Sequence, residues 1–189
     1  MDEEKKRSGR AKLLLVLAFF ALPIVAATLA FNYWQPSSFS NYGELLPPRA
    51  LPDLALASID GGEFRLNELR GKWTLMMVGS GACEETCREN LYKMRQLRLT
   101  QGKNRDRIER VFLIRDGELP AAEVKREYEG TWFVRAQGSQ LLSALPGTNE
   151  IADPIYLIDP KGNLMMRYPK DADASKMVKD LNRLLRLSG

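Results

Sequence analysis

Residues 73–91 read WTLMMVGSGACEETCRENL, and the fold turns on how this stretch is built. Trp73 to Val78 is a continuous apolar run broken only by Thr74. It has the length and composition of a strand buried on both faces. Gly79-Ser80-Gly81-Ala82 follows as a loop of small residues. From Cys83 to about Thr100 the spacing of Leu91, Met94, Leu97 and Leu99 predicts a helix. Cys83 and Cys87 therefore stand where a central strand gives way to a helix.

Working outward, Leu54–Ser58 and Glu63–Leu66 are short strands around the turn Asp60-Gly61-Gly62. Asn67 caps a short turn, Glu68–Arg70, that Gly71 ends. Beyond the polar loop Gly102–Asp106, Ile108–Ile114 reads as a strand and Pro120–Glu129 as a helix with proline at its first position. Thr131–Val134 is a short strand, and Ser139–Leu145 a short helix closed by Pro146-Gly147. Pro154–Ile158, the turn Asp159-Pro160-Lys161-Gly162 and Asn163–Tyr168 form a hairpin. Ala174–Leu187 is the last helix, with Met177, Leu181, Leu184 and Leu185 on one face. Trp73 and Trp132, in strand runs, belong to the core. Strands alternating with helices imply an α/β domain, a mixed central sheet flanked by helices. The closing hairpin and helix, with the cysteines just after the first central strand, resemble the thioredoxin fold.

The N-terminal third reads differently. Leu13 to Phe31 is nineteen residues without a charge. As a helix it would be about 28 Å long, near the thickness of a bilayer core. Tyr33 and Trp34 follow it, and Lys5, Lys6, Arg7, Arg10 and Lys12 precede it. These features predict a cytoplasmic tail (1–12), a single transmembrane anchor (13–34), a Ser- and Pro-rich linker (35–50) and an exported domain (51–189). The implied location is a bacterial inner membrane, with the N-terminus cytoplasmic and the domain facing the periplasm. A cleaved signal peptide ending near Ala26, Ala27 or Ala30 is the competing reading, and a buried helix of a soluble core a third. The net charge is +4 over 189 residues. Much of the excess lies in that first segment and no basic run alternates with aromatics, so nucleic acid is not an expected partner.

The chain has two cysteines and no histidine. That excludes an imidazole base and any His-ligated metal site built by this chain alone. Cysteines at i and i+4 of a regular helix hold their Cβ atoms about 5–6 Å apart, too far for a disulfide, which needs about 3.5–4.5 Å. A Cys83 outside the helix relieves this. Two thiolates could also pinch Cu(I), the metal that suits them best. A helix N-terminus acidifies a thiol; Glu84 and Glu85 oppose that, and Arg88 partly restores it. An inert staple and two unconnected buried thiols are the structural alternatives.

The run GGEFRLNELRGKWTLMMVGSGACEETC, the three-residue spacer of CxxxC and the late IYLIDPKGNLMMRY resemble the Sco/SenC family, thioredoxin-like copper proteins of cytochrome c oxidase assembly. The resemblance implies assistance to copper-centre assembly, with a respiratory oxidase subunit or a Sco-type copper protein as partner. The sequence departs from the family where it matters for metal. Glu84 and Arg88 stand where Pro usually follows each cysteine, and the stretch Asn149–Asp153 lacks the ligand histidine. The usual three-ligand copper site is therefore not present. What remains for metal is a digonal Cu(I) on Cys83 and Cys87, or a third ligand from Met76, Met77, Met165 or Met166, although mid-strand methionine is more often core filler. Fold analogy makes Pro154 a cis-proline facing the pair. The leading expectation is thiol–disulfide exchange with Cys83 as the exposed attacking thiol and Cys87 resolving. A Cu(I) metallochaperone and a redox-inactive assembly scaffold are its rivals.

Overall fold

The computed structural model describes residues 2–33, 41–147 and 154–188, in two compact units, Met1–Ser40 and Asn41–Gly189. The first contains the helix α1 (Asp2–Tyr33), with Pro23 inside it. The expected anchor does not stand as a separate apolar rod. It is part of one helix that starts at Asp2 and includes the charged segment 2–12. Among the described residues no helix is long and apolar enough to cross a membrane. The expected transmembrane anchor at 13–34, and the single-pass inner-membrane topology drawn from it, are corrected accordingly.

The described residues of the second unit form an eight-stranded sheet: β1 (Glu44–Ala50), β2 (Leu56–Ser58), β3 (Glu63–Phe64), β4 (Trp73–Gly79), β5 (Ile108–Ile114), β6 (Trp132–Arg135), β7 (Ile155–Ile158) and β8 (Asn163–Tyr168), in the order β1-β8-β7-β4-β5-β6-β2-β3. β4, β5 and β6 run parallel, and β7 returns antiparallel against β4, from Thr74 opposite Ile158 to Met77 opposite Ile155. The helices are α2 (Glu85–Leu99), α3 (Ala122–Glu127), α4 (Gln140–Ser143) and α5 (Ala174–Leu187). This mixed sheet flanked by helices is the thioredoxin-like arrangement that the sequence predicts.

The apolar run of β4 is continuous because both its faces are covered. Trp73, Leu75 and Met77 share one core with Leu91 and Met94 of α2 and with Met177, Leu181 and Leu185 of α5. Met76 and Val78 enter a second core with Leu66, Leu69 and Leu141. Alternate residues of one strand thus serve opposite layers, as a pleated strand requires. At the head of α5, Asp173 caps the helix by accepting from the amides of Ser175 and Lys176 at 2.8 and 3.2 Å.

Within the expected linker, residues 44–50 form the edge strand β1, paired to β8 from Glu44 opposite Arg167 to Ala50 opposite Asn163. The pairing shifts register between Leu45 and Arg49, across Pro47 and Pro48. Proline lacks the N–H that an inner strand needs, but an edge strand with a bulge accommodates it. The strand is tied down at its start. The buried carboxylate of Asp180 on α5 accepts from the amide of Tyr42 at 2.9 Å and from that of Gly43 at 2.9 Å. The remainder of the linker, 35–40, and the stretch Asn149–Asp153 lie outside the described residues.

Candidate redox site

β4 ends at Gly79, and the chain needs five residues to turn from its end into α2. The loop is built from its own backbone and from one carboxylate. The amide of Cys83 donates to the carbonyl of Ser80 at 3.1 Å, and the amide of Ala82 to the Ser80 hydroxyl at 3.2 Å. Asp116, just beyond β5, accepts from the amides of Gly81 at 2.9 Å and Glu118 at 3.2 Å. Burial alone would raise the pKa of Asp116. The Ser80 hydroxyl and the two amides outweigh it and hold the carboxyl below its ordinary range. Gly81 has no room for a side chain, since a Cβ there would lie 2.0 Å from the carbonyl oxygen of Glu118. The loop after β4 and the loop after β5 are thus pressed together backbone to backbone.

Cys83 and Cys87 are joined, with sulfurs 2.01 Å and Cα atoms 5.0 Å apart. Cys83 lies outside α2 with φ of 45°, in the left-handed region, and Cys87 is the third residue of the helix. The loop position of Cys83 supplies the freedom that a regular i,i+4 pair lacks. The two sulfurs do not share one environment. Cys83 is 1% exposed and part of the core beneath α2. Cys87 is partly exposed and lines a cleft of about 470 Å³, with Met77 below it and Glu85, Asn90, Arg115 and Lys170 around it. The expectation that Cys83 is the exposed thiol is therefore corrected. Arg88 donates from Nε to the carbonyl of Cys83 at 3.3 Å, and the Tyr128 hydroxyl donates to the carbonyl of Arg88 at 3.3 Å. These bonds brace the turn.

The possible Cu(I) site on the thiolates of Cys83 and Cys87 is corrected as well. With the pair oxidised, both sulfurs are taken up by the bond between them, and no cluster of three or more metal-ligating His, Cys, Asp or Glu side chains occurs among the described residues. Met76 belongs to the core on the other side of the sheet from Cys83, so it is no third ligand. Met77 and Met166 are fully buried core residues, and Met165 packs at the edge of the same core. Pro154 is buried and directly precedes β7, whose Ile155 pairs with Met77. It therefore stands beside the end of β4 from which the cysteine loop departs. The peptide bond before it begins at Asp153, outside the described residues.

Two residues of the site carried no motif in the sequence. Asp116 follows the apolar run of β5 and precedes Gly117, a turn signal that marks the end of a strand facing the cysteine loop. Lys170 follows β8 and has no local pattern that places it near Cys87.

A disulfide between a buried loop cysteine and a helix-borne cysteine, at the end of the central parallel strand, defines a thioredoxin-fold protein with a CxxxC pair. Residues 73–188 match the family described as transmembrane-like, thioredoxin-like, C-terminal domain, and the chain belongs to that family. Among solved structures it is similar to apo Sco1 from Thermus thermophilus, at 19% identity over 78% of this chain and 99% of that one, with a TM-score of 0.60. Copper-bound yeast Sco1 matches at 18% identity over 75% and 95% of the two chains, with a TM-score of 0.58. A putative protein disulfide isomerase from Bacteroides thetaiotaomicron matches at 19% identity over 77% and 94%, with a TM-score of 0.55. At these identities the likeness is one of fold. No curated protein matches the chain.

Proposed function

We propose that the chain is a thiol–disulfide exchange protein that uses Cys83 and Cys87 as its redox pair. The observation that carries this is the placement of the bond: it closes at the first turn of α2, and one of its two cysteines lines an open cleft. A staple has no need of such a cleft, and closing so short a loop removes little chain entropy. Support also comes from the fold, shared with Sco proteins and with a putative disulfide isomerase. The partner is a cysteine-bearing protein of the kind that Sco-type assembly factors meet, an oxidase subunit or a Sco-type copper protein. Pro154, beside the same strand end, serves as a backbone contact for the partner segment.

The test is native reduction. Oxidised protein is equilibrated with dithiothreitol and glutathione buffers below any unfolding transition, and free thiols are counted. Two thiols should appear together, reversibly, at one midpoint potential. A bond that resists reduction until the domain unfolds would show the pair to be a staple and overturn the proposal.

A further inference from the structure

Resting on that exchange reading, we infer that the pair meets its partner through Cys87, while Cys83 is the sulfur that leaves and later resolves. This reverses the order that its position in the chain suggests. Three observations converge on it. Cys83 is 1% exposed and packed into the core under α2. Cys87 is partly exposed and faces the cleft ringed by Glu85, Asn90, Arg115 and Lys170. Cys87 also lies in the first turn of α2, whereas Cys83 is outside the helix.

Exchange requires a thiolate to approach one sulfur roughly in line with the bond it breaks. Cys87 lines the cleft and Cys83 does not, so a partner thiolate entering there meets Cys87 first. A partner thiolate forms a bond to the Cys87 sulfur, the Cys83–Cys87 bond breaks, and its electron pair leaves on Cys83, which takes a proton. A second partner thiolate then attacks the partner's own sulfur in the mixed disulfide and expels the Cys87 thiolate. The partner dithiol has become a disulfide, and the pair has gained two electrons. In the opposite direction the Cys87 thiolate attacks a partner disulfide, and the Cys83 thiolate closes onto Cys87 to free the reduced partner. Burial keeps Cys83 out of a partner's reach, which holds it in reserve until the mixed disulfide has formed. Because Cys87 lies within the cleft and not on a protruding edge, the partner cysteine has to come on an exposed, extended segment.

The experiment uses the full chain. The reduced protein is treated with limiting iodoacetamide, and the labelled cysteine is located by peptide mass mapping. Cys87 should carry the label at least ten-fold over Cys83. In parallel, the oxidised protein is opened with reduced glutathione, quenched in acid and mapped, and the glutathione should sit on Cys87. The variants C83S and C83A, with circular dichroism as a check of folding, should keep a fast-reacting thiol; C87S should lose it. Label or glutathione found mainly on Cys83, or equally on both, overturns the assignment while leaving exchange intact. An oxidised pair that glutathione and dithiothreitol do not open in the folded protein overturns the exchange reading itself, and the assignment with it.

Discussion

The carboxylate of Asp116 joins the two loops that frame the disulfide, and its charge is what makes it useful. It accepts amide hydrogens from Gly81 and Glu118, bonds that are stronger to an ionised acceptor. D116N should therefore destabilise the protein by about 1–2 kcal/mol at pH 7, measured by urea unfolding. The folded pKa is lowered, so this contribution is present above the ordinary carboxylate pKa of about 4 and fades as pH falls through the lower folded value. The gap between wild type and D116N should narrow toward pH 2 and stay constant from pH 6 to pH 8. Gly81 gives the steric counterpart. G81A places a methyl against the Glu118 carbonyl, so one loop must move, at about 1–3 kcal/mol, and the exchange rate should change with it. Cys83 with its positive φ, at about 1 kcal/mol for an L-residue, is held by these same neighbours. The sequence makes the cysteine pair legible, since strand, small-residue loop and helix are contiguous. It does not reveal which sulfur is covered. That depends on a backbone angle at Cys83 and on packing against α2, and the partner carboxylate comes from a different strand end.

Among the elements, those with a clean period were readable from sequence. β5, β8 and α5 fall on their predicted spans because an apolar run, an alternating strand and an i,i+4 stripe each leave one solution. β1 was hidden. Pro47 and Pro48 in a polar context look like a stiff linker, and only the free edge of β8 makes a strand of them. Its anchor is testable: D180A strands the buried amide of Gly43 and the part-buried amide of Tyr42, and should cost about 3 kcal/mol and speed hydrogen exchange from residue 42 through β1. β5 carries the opposite case. Arg110 is 4% exposed; Nη2 donates to the carbonyl of Glu129 at 2.7 Å, while Nε and Nη1 have no partner. Burial first, then the charges of Arg98 and Arg95, lower its pKa to about 10. A base with a lowered folded pKa works against folding at neutral pH, and the penalty is relieved as pH rises from about 10 toward its unfolded value. R110M should thus raise stability by about 1–4 kcal/mol at pH 7, with the gain shrinking above pH 10.

For the molecule as a whole, the redox state of the pair is a modest influence on stability. A bridge spanning four residues of sequence confines a loop worth about 2 kcal/mol on the chain-entropy account. Reduction should lower the unfolding free energy by that amount or less, read from urea curves with and without a phosphine reductant, and leave the fold intact. Two layers of apolar side chains on one sheet hold the domain whether or not the sulfurs are joined. A domain whose stability barely registers its oxidation state is free to cycle.

The strand before the family match has a practical bearing on where this protein can be cut. The matched region starts at Trp73, and the polar, proline-rich run before residue 51 invites trimming. Cutting at 51 would strip the cover from β8, leave its outer hydrogen-bonding groups as a template for other chains, and take from the Asp180 carboxylate the amides of Tyr42 and Gly43. Such a fragment should aggregate or pair edge to edge. One that starts at or before Asn41 keeps its own cover and should stay monodisperse.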